Sequence, residues 1–365
     1  MSSGHQGFTR VVIKGYKSIK ACDIKLNDIN VLIGSNGAGK SNFVSAFELY
    51  ENILKQEMNL YASRKGINSL FRMGIKVTDN IKMEFWYSDS WHSFDIVTTE
   101  ANSLIFRDER FGNIKEPQDF IFNARGGLNE SSIKNSIQDI NDERSFLTTT
   151  PCRVYHFHDT GSTSKIKIEH NLSHCNMLMW DASNLAAFLY RLREHYPDEY
   201  SKIVKIVQRI APYFKDFILE PEEGNKELIF LRWQENGCDI IFNPSQLSDG
   251  TLRFVCLATL LLQPRELQPS TIIIDEPELG LHPYAMAIVA ELVKKAANKK
   301  QVILATQSAE FLDHFEPENI IVVDRTANAS EFKRLNSEKL AAWLEDDYSL
   351  GELWNKNLFG GRVAR

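Results

Sequence analysis

Hydrophobic positions along this chain repeat with two different periods, and the switches between them outline its elements. Residues 8–14 (FTRVVIK) and 30–33 (NVLI) are dense in β-branched side chains and predict strands, with a turn-rich GYKSIK segment after the first. The second strand runs straight into GSNGAGKS and then into SNFVSAFELYENIL, where Phe43, Phe47, Leu49, Ile53 and Leu54 recur at helical spacing. MEFWYSD and HSFDIVTT alternate as sheet strands do, and VYHFHD (154–159) alternates as another strand. The 124–145 stretch is polar and reads, with 160–175, as mobile loop. From Ala182 to Phe214 the period is helical, broken near Pro197 and ended near Pro212. ELIFLRW and CDIIFNP predict a hairpin about Glu235–Gly237.

Beyond that point strand and helix alternate. A helix over 247–263, a strand TIIID (271–275), a helix over 283–298, a strand QVILAT (301–306), a helix near 308–314 and a strand NIIVVD (319–324) follow in order. Short apolar strands separated by helices predict an α/β architecture with a parallel sheet buried on both faces. There is no internal repeat and no heptad run of coiled-coil length.

Composition narrows the class. With 365 residues, 43% hydrophobic and 25% charged, the chain has the make-up of a globular protein with a sizeable core. Its 42 Lys and Arg against 48 Asp and Glu give a net charge of −6, so nucleic acid could be met only through a local patch. The odd, scattered cysteines (Cys22, Cys152, Cys175, Cys238, Cys256) have no CxxC spacing and suit free thiols in a reducing compartment. The N-terminus lacks the apolar core of a signal peptide, and Phe254–Leu262 is too short to span a bilayer. The expectation is a cytoplasmic protein without a membrane partner.

Candidate chemistry begins at Gly34-Ser35-Asn36-Gly37-Ala38-Gly39-Lys40-Ser41, a complete GxxxxGK[ST] pattern followed by Asn42. Glycines let the backbone curl so that several N–H groups face phosphate oxygens, and a helix N-terminus adds partial positive charge. Lys40 would reach the β and γ phosphates of ATP, and the Ser41 hydroxyl would bind Mg²⁺. A Gly-rich turn that merely caps a helix is the plainer reading, and the strand before and helix after argue against it. In STIIIDEPELGLHP the apolar strand delivers Asp275 and Glu276 to a sheet edge, Asp275 to hold Mg²⁺ through water and Glu276 as general base toward the attacking water. Between these motifs, Gln246-Leu-Ser248-Asp249-Gly250-Thr opens an apolar helix. Ser248 and the Gly250 amide would form a second anion site, facing a γ-phosphate bound by another subunit; a simple Ser N-cap is the alternative.

These three motifs resemble those of the ABC-type ATPase head shared by SMC, RecF and overcoming-lysogenisation-defect (OLD) proteins. LSDG departs from the usual LSGG signature by Asp249 in place of a glycine. GxNGxGKS, YHFHD, NLAAFLYRL, DEPELGLHPYA, ATQS and LGELWNKNLFGG extend the likeness, from about residue 8 to 361, to stand-alone bacterial ATPases. The resemblance implies a two-lobed P-loop ATPase head in four stretches: 1–160 as an N-terminal lobe with Walker A, 161–245 as a helical and hairpin insertion, 246–330 as a C-terminal lobe with signature and Walker B motifs, and 331–365 as a tail.

Three departures from the resemblance matter. ILATQS puts Gln307 where transporter and SMC heads carry a γ-phosphate-sensing histidine; glutamine can donate to phosphate or orient water but carries no proton, so slow turnover is expected. The long SMC arm is absent. About 40 residues follow Asp324, too few for the Toprim nuclease domain of OLD proteins, so nuclease chemistry would belong to a partner. A Q-loop glutamine is unassigned, with Gln138 in the expected interval.

Other features admit two readings each. His156 and His158 with Asp159, and His170 with His174, could ligate a metal or be ordinary structural residues. Lys165, Lys167, Arg191, Arg193, Lys202, Lys205 and Arg209 could face DNA or be a solvated surface, since Glu194, Asp198 and Glu199 interleave. Glu278 and His282, with Pro283 near a helix start, would sit at a dimer seam. Trp343, Tyr348, Trp354 and Phe359 suggest a tail that docks on its own domain or on a partner.

The expected function is a Mg²⁺-dependent ATPase that dimerises, or forms a higher homo-oligomer, around ATP as a switch in DNA repair or anti-phage defence, with a partner nuclease or effector and with DNA. The rival is an ATP-binding scaffold with little hydrolysis that recruits or restrains a nuclease. A transporter subunit is disfavoured by GxNGxGKS, Gln307 and the lack of a coupling region.

Overall fold

Every second side chain of β4 (Asn80–Tyr87) is buried: Ile81, Met83, Phe85 and Tyr87 point inward while their neighbours face out. That period of two is the rule for a sheet with one face on a core. β1 (Phe8–Tyr16) lies antiparallel to it with Val11 opposite Phe85 and Ile13 opposite Met83, and β2 (Ile19–Lys25) pairs with the other edge of β1. β5 (Ser90–Thr98), β6 (Leu104–Asn113) and β7 (Ile121–Ala124) complete an antiparallel sheet of order β2-β1-β4-β5-β6-β7. Against its inner face lies α1 (Lys40–Leu54). Tyr50 of α1 stacks on Phe85 with ring centroids 3.8 Å apart, and Phe47 meets Phe8 edge-on at 5.2 Å.

This computed structural model describes residues 7–87, 90–113, 121–124, 126–133, 152–338, 340 and 348–360. Gln138, most of the polar 124–145 stretch and Trp343 lie outside the described residues. The chain forms two compact units. One draws on the chain up to Val154, on Pro269–Ile273 and on the chain from Lys300; the other consists of Tyr155–Gln268 and Ile274–Lys299.

The first unit also holds a second sheet, of order β18-β17-β3-β16-β15-β8. Its strands are β3 (Ile29–Ile33), β8 (Cys152–Tyr155), β15 (Thr271–Asp275), β16 (Gln301–Thr306), β17 (Ile320–Thr326) and β18 (Ala329–Arg334); β8 and β15 run on into the second unit at their last residues. β3 sits between β17 and β16 and is parallel to both, and all six residues of β16 are buried, as strands covered on both faces should be. β18 turns back antiparallel to β17, so the sheet is mixed rather than purely parallel. Gln301 ties the two sheets together: it accepts from the Phe8 N–H at 2.9 Å and donates to the Phe8 and Asn27 carbonyls at 2.7 and 2.9 Å.

The second unit is built on helices. α2 (Leu185–His195) and α3 (Pro197–Ile210) meet at the expected break, with Pro197 opening α3 and Asp198 and Glu199 in its first turn. α4 (Asp249–Leu262) packs between α3 and α5 (Pro283–Ala297) and is apolar nearly all round, as a central helix must be. Two small three-stranded sheets flank them: one of order β10 (Phe214–Ile218), β13 (Arg232–Glu235), β14 (Ile241–Phe242), the other of order β11 (Pro221–Glu222), β12 (Asn225–Ile229), β9 (His170–Asn171).

Local expectations are corrected in three places. VYHFHD is a strand only through Tyr155. ELIFLRW divides into β12 (Asn225–Ile229) and β13 (Arg232–Glu235) in different sheets, because Trp233 buries between Phe214 and Phe242, at 6.1 and 4.8 Å. Only β13 joins the expected hairpin, with Trp233 opposite Phe242 of β14 (Ile241–Phe242). The 160–175 stretch contains short helical turns at Lys165–Lys167 and Leu172–Cys175.

Candidate nucleotide site

β3 ends at Ile33, and the chain turns at once into Gly34–Gly39 before α1 begins at Lys40. Gly39 caps α1 in a left-handed conformation (φ +119°) and, being glycine, supplies no side-chain cap, and there is no acid in the first turn of the helix. The positive end of a 15-residue helix is therefore not offset by its own sequence. Lys40 is buried, and its ammonium donates to the carbonyls of Gly34 (2.7 Å) and Ser35 (3.2 Å), folded over the loop it follows. A side chain at Gly34 would bring its Cβ to 2.4 Å from the Val323 carbonyl, so only glycine allows the loop this close to β17. Gly37, at φ +77°, has nothing within 4 Å of where a Cβ would stand and faces open space. An uncapped helix start, a lysine and the Ser41 hydroxyl fit a polyphosphate carrying a hard cation.

Gln307 belongs to the same sheet edge. Thr306 of β16 is in register with Ile33 of β3, so Gln307 and Gly34 each leave the sheet one residue later from adjacent strands. Beside the loop, in the same unit, Lys17, Ser18, Asn42, Phe71, Met73 and Arg325 line an open cleft. Burial pushes the Lys17 ammonium below the usual lysine range, against the opposing pull of Glu48, and it donates to the Ser45 hydroxyl at 2.8 Å. Sequence reasoning passed over this cleft, although its GYKSIK turn was visible.

In the second unit, Asp275 is buried, and Glu276 follows it at φ +50°, a left-handed conformation that costs a non-glycine residue about 1–2 kcal/mol. The His158 Nε2–H donates to the Asp275 carbonyl at 2.9 Å. The Arg253 guanidinium donates in turn to the carbonyls of His158 (2.9 Å) and Leu279 (3.2 Å). Arg253 therefore ties α4 to both segments, and with Phe157, Ile274, Asp275 and Glu276 these residues line a narrow crevice.

Ser248 is the N-cap of α4: its hydroxyl accepts from the Thr251 N–H at 3.1 Å. Asp249 occupies the first turn, 3.4 Å from the Lys167 ammonium. Gly250 is glycine for a packing reason, since a Cβ there would lie 2.5 Å from the Gly280 carbonyl. Pro283 opens α5, and His282 caps it.

Several of the remaining candidates have partners within the chain. Among the described residues no three His, Cys, Asp or Glu side chains gather as a metal site, and His170 bonds the Lys165 carbonyl at 2.8 Å. Of the basic residues, Arg193 pairs with Glu194 and Glu220, Lys202 with Glu199 and Lys167 with Asp249. In the tail, a short helix (Leu350–Asn355) docks on its own unit: the Gly351 N–H donates to Asp313 at 2.5 Å, and buried Trp354 stacks on Phe359. Among the described residues no helix is long and apolar enough to cross a membrane.

Residues 29–313 match the family described as "AAA domain, putative AbiEii toxin, Type IV TA system". The chain belongs to this AAA domain family. Loop, carboxylates, Ser248–Gly250 and Gln307 all fall within the matched stretch of this ATPase family. The chain is also 25% identical over 374 residues to the Old nuclease of Escherichia phage P2, an alignment covering 90% of this chain. It spans 61% of the length of that curated relative. Two solved structures share the fold: an SMC head bound to the C-winged helix domain of ScpA (TM-score 0.56, 16% identity, 92% of this chain and 99% of that one), and an Smc head with an extended coiled coil bound to the C-terminal domain of ScpA derived from Pyrococcus furiosus (TM-score 0.54, 15% identity, 93% and 99%). The fold is that of an SMC-type ATPase head.

Proposed function

We propose that this chain is a Mg²⁺-dependent ATPase that dimerises around ATP and works as a molecular switch. The observation that carries the reading is the phosphate loop, an uncapped helix start beside a buried lysine in a family of AAA-type ATPases. Residues Gly34 to Asn42 would hold the triphosphate, with the base and ribose in the cleft of Lys17, Asn42 and Phe71, whose mix of cation, amide and apolar faces suits them. Ser41 and Asp275 are the residues that would hold Mg²⁺, whose charge would offset that of the phosphate oxygens. Glu276 would accept the proton of the attacking water, and Gln307 would donate to the γ-phosphate or orient that water. Ser248 and Gly250 of a second copy would close on the phosphate, so that ATP favours the closed dimer.

A role in DNA repair or anti-phage defence, with a partner effector and DNA, draws support from the named relatives, one a phage nuclease and two SMC heads bound to ScpA. Free cysteines at Cys22, Cys152, Cys175, Cys238 and Cys256 support a cytoplasmic setting.

One observation favours the second reading, a scaffold that binds ATP with little hydrolysis. The Ser248 hydroxyl already caps α4, and the Asp249 carboxylate sets negative charge at its start, which weakens a site for phosphate. Light scattering with and without Mg²⁺-ATP, alongside phosphate release, separates the two. An ATP-held dimer in Glu276→Gln that is missing in Lys40→Ala supports the switch. An oligomeric state indifferent to nucleotide in wild type and both variants rejects it.

A further inference from the structure

The phosphate loop is gripped from behind by residues outside any motif. Ser330 of β18 is 2% exposed, and its hydroxyl donates to the Ala38 carbonyl at 2.6 Å. The same oxygen lies 2.6 Å from the Ser18 hydroxyl, which accepts from the Asn42 amide at 2.7 Å. The Ser330 N–H also bonds the Ser18 carbonyl at 2.9 Å. A hydroxyl chain thus closes a ring from Asn42, at the start of α1, through Ser18 and Ser330 to Ala38 in the loop. Directly across the hairpin from Ser330 stands Arg325, in register with it on β17, and its guanidinium donates to the Gly37 carbonyl at 3.1 Å. One cross-strand pair therefore holds two consecutive loop carbonyls.

The consequence follows from peptide geometry. No peptide bond among the described residues is cis, and in a planar trans peptide the C=O and the next N–H point in opposite directions. Fixing the Ala38 carbonyl toward Ser330 turns the Gly39 N–H to the opposite face of the loop. The contact also dictates residue 39, because a Cβ there would stand 2.1 Å from the Ser330 oxygen. Lys40 holds the Gly34 and Ser35 carbonyls in the same way. The loop's carbonyls at 34, 35, 37 and 38 are thereby committed to side chains, which sets the amides that follow them before any ligand arrives.

We propose that Ser330, with Ser18 behind it, is a positioning residue that preorganises the phosphate loop for the phosphates of a nucleotide. The proposal rests on the nucleotide reading above. Ser330 is the clean probe because it is buried behind the loop and acts only through it, whereas Arg325 lines the cleft where a ligand would lie. Preorganised donors bind tightly because no ordering cost is left for the moment of binding.

The test uses the full chain and titration with a fluorescent ATP analogue in Mg²⁺, at a temperature where each variant is fully folded by circular dichroism. Ser330→Ala is expected to bind about tenfold more weakly, one hydrogen bond's worth, with KM for ATP raised alike and kcat at saturation retained. Ser330→Cys, which fills nearly the same space with a much weaker hydrogen-bond donor, is expected to lose about threefold and serves if Ser330→Ala does not fold. A purely structural role would lower melting temperature and leave Kd of the folded protein unchanged. Kd within twofold of wild type for the folded variants therefore overturns the proposal. If wild type and Lys40→Ala both fail to bind the analogue, the nucleotide reading itself falls, a distinct result.

Discussion

The His158 Nε2–H donates to the backbone carbonyl of Asp275 at 2.9 Å, joining segments 117 residues apart. The bond fixes the peptide on which the Glu276 N–H also rides, and Arg253 holds the His158 carbonyl in turn. His158→Ala is expected to cost about 1 kcal/mol of stability and to slow phosphate release about tenfold, because the peptide between the two carboxylates loses its anchor. His158→Gln, which can still donate, should recover part of both. Urea unfolding and phosphate release on the three proteins decide it; equal rates in wild type and His158→Ala would remove the anchor from the mechanism.

Glu276 is held at φ +50° immediately before Pro277, a conformation that glycine takes without strain. Conformational strain kept at a candidate catalytic carboxylate puts position ahead of stability there. Glu276→Gly is therefore expected to be more stable than Glu276→Ala by about 1 kcal/mol, the reverse of the usual order, while both lose phosphate release. Thermal unfolding of the two variants checks the sign.

Much of this site could be read from residue order. Gly34 to Ser41, the strand Thr271–Asp275 and the Pro283 helix start are local patterns whose spacing carries their chemistry, and the structure builds each as a strand, loop or helix accordingly. Less legible were contacts made across the chain. Ser330 lies on a strand with mixed burial and no hydrophobic alternation to announce it, so β18 itself went unseen. Arg253 sits inside an apolar helix and finds its partners at 158 and 279 only through packing. VYHFHD has the alternation of a full strand, yet pairing stops at Tyr155, and the bond from His158 to Asp275 is made beyond the strand's end. Trp233 likewise chose its sheet by ring contacts that no period of two encodes.

Gly250 illustrates how a motif residue can have a packing duty. A methyl group there would press on the Gly280 carbonyl at 2.5 Å, and Gly280 is itself hemmed by Arg253. The Gly280 carbonyl is backbone and cannot swing aside as the end of a flexible side chain could, so α4 must move away from the loop after β15. Gly250→Ala is expected to destabilise the protein by about 1–3 kcal/mol even without nucleotide. Urea unfolding of the ligand-free protein measures it. A loss seen only in nucleotide-dependent dimerisation, with stability intact, would instead assign Gly250 to phosphate binding alone.

A buried carboxylate in the first unit predicts acid sensitivity. Glu109 of β6 and His92 of β5 are both fully buried, with the His92 Nε2 3.2 Å from the carboxylate, which also accepts from the Ser131 hydroxyl and from the Ser132 N–H and hydroxyl at 3.0 and 2.9 Å. Burial alone would raise the Glu109 pKa. The hydrogen bond and charge of His92, with the Ser131 and Ser132 bonds, outweigh it and hold the carboxyl below its ordinary value of 4.5. A carboxylate whose folded pKa lies below its unfolded one binds more protons when unfolded, so its contribution is complete above about pH 4.5 and is lost as pH falls through the lower folded value. Glu109→Gln keeps the shape but cannot titrate. It is expected to be less stable than wild type at neutral pH, with the gap narrowing as acid is added below the ordinary glutamate range. Urea unfolding of both proteins from about pH 6 to about pH 3 measures the two slopes. Parallel curves across that range would mean that Glu109 contributes nothing to acid unfolding.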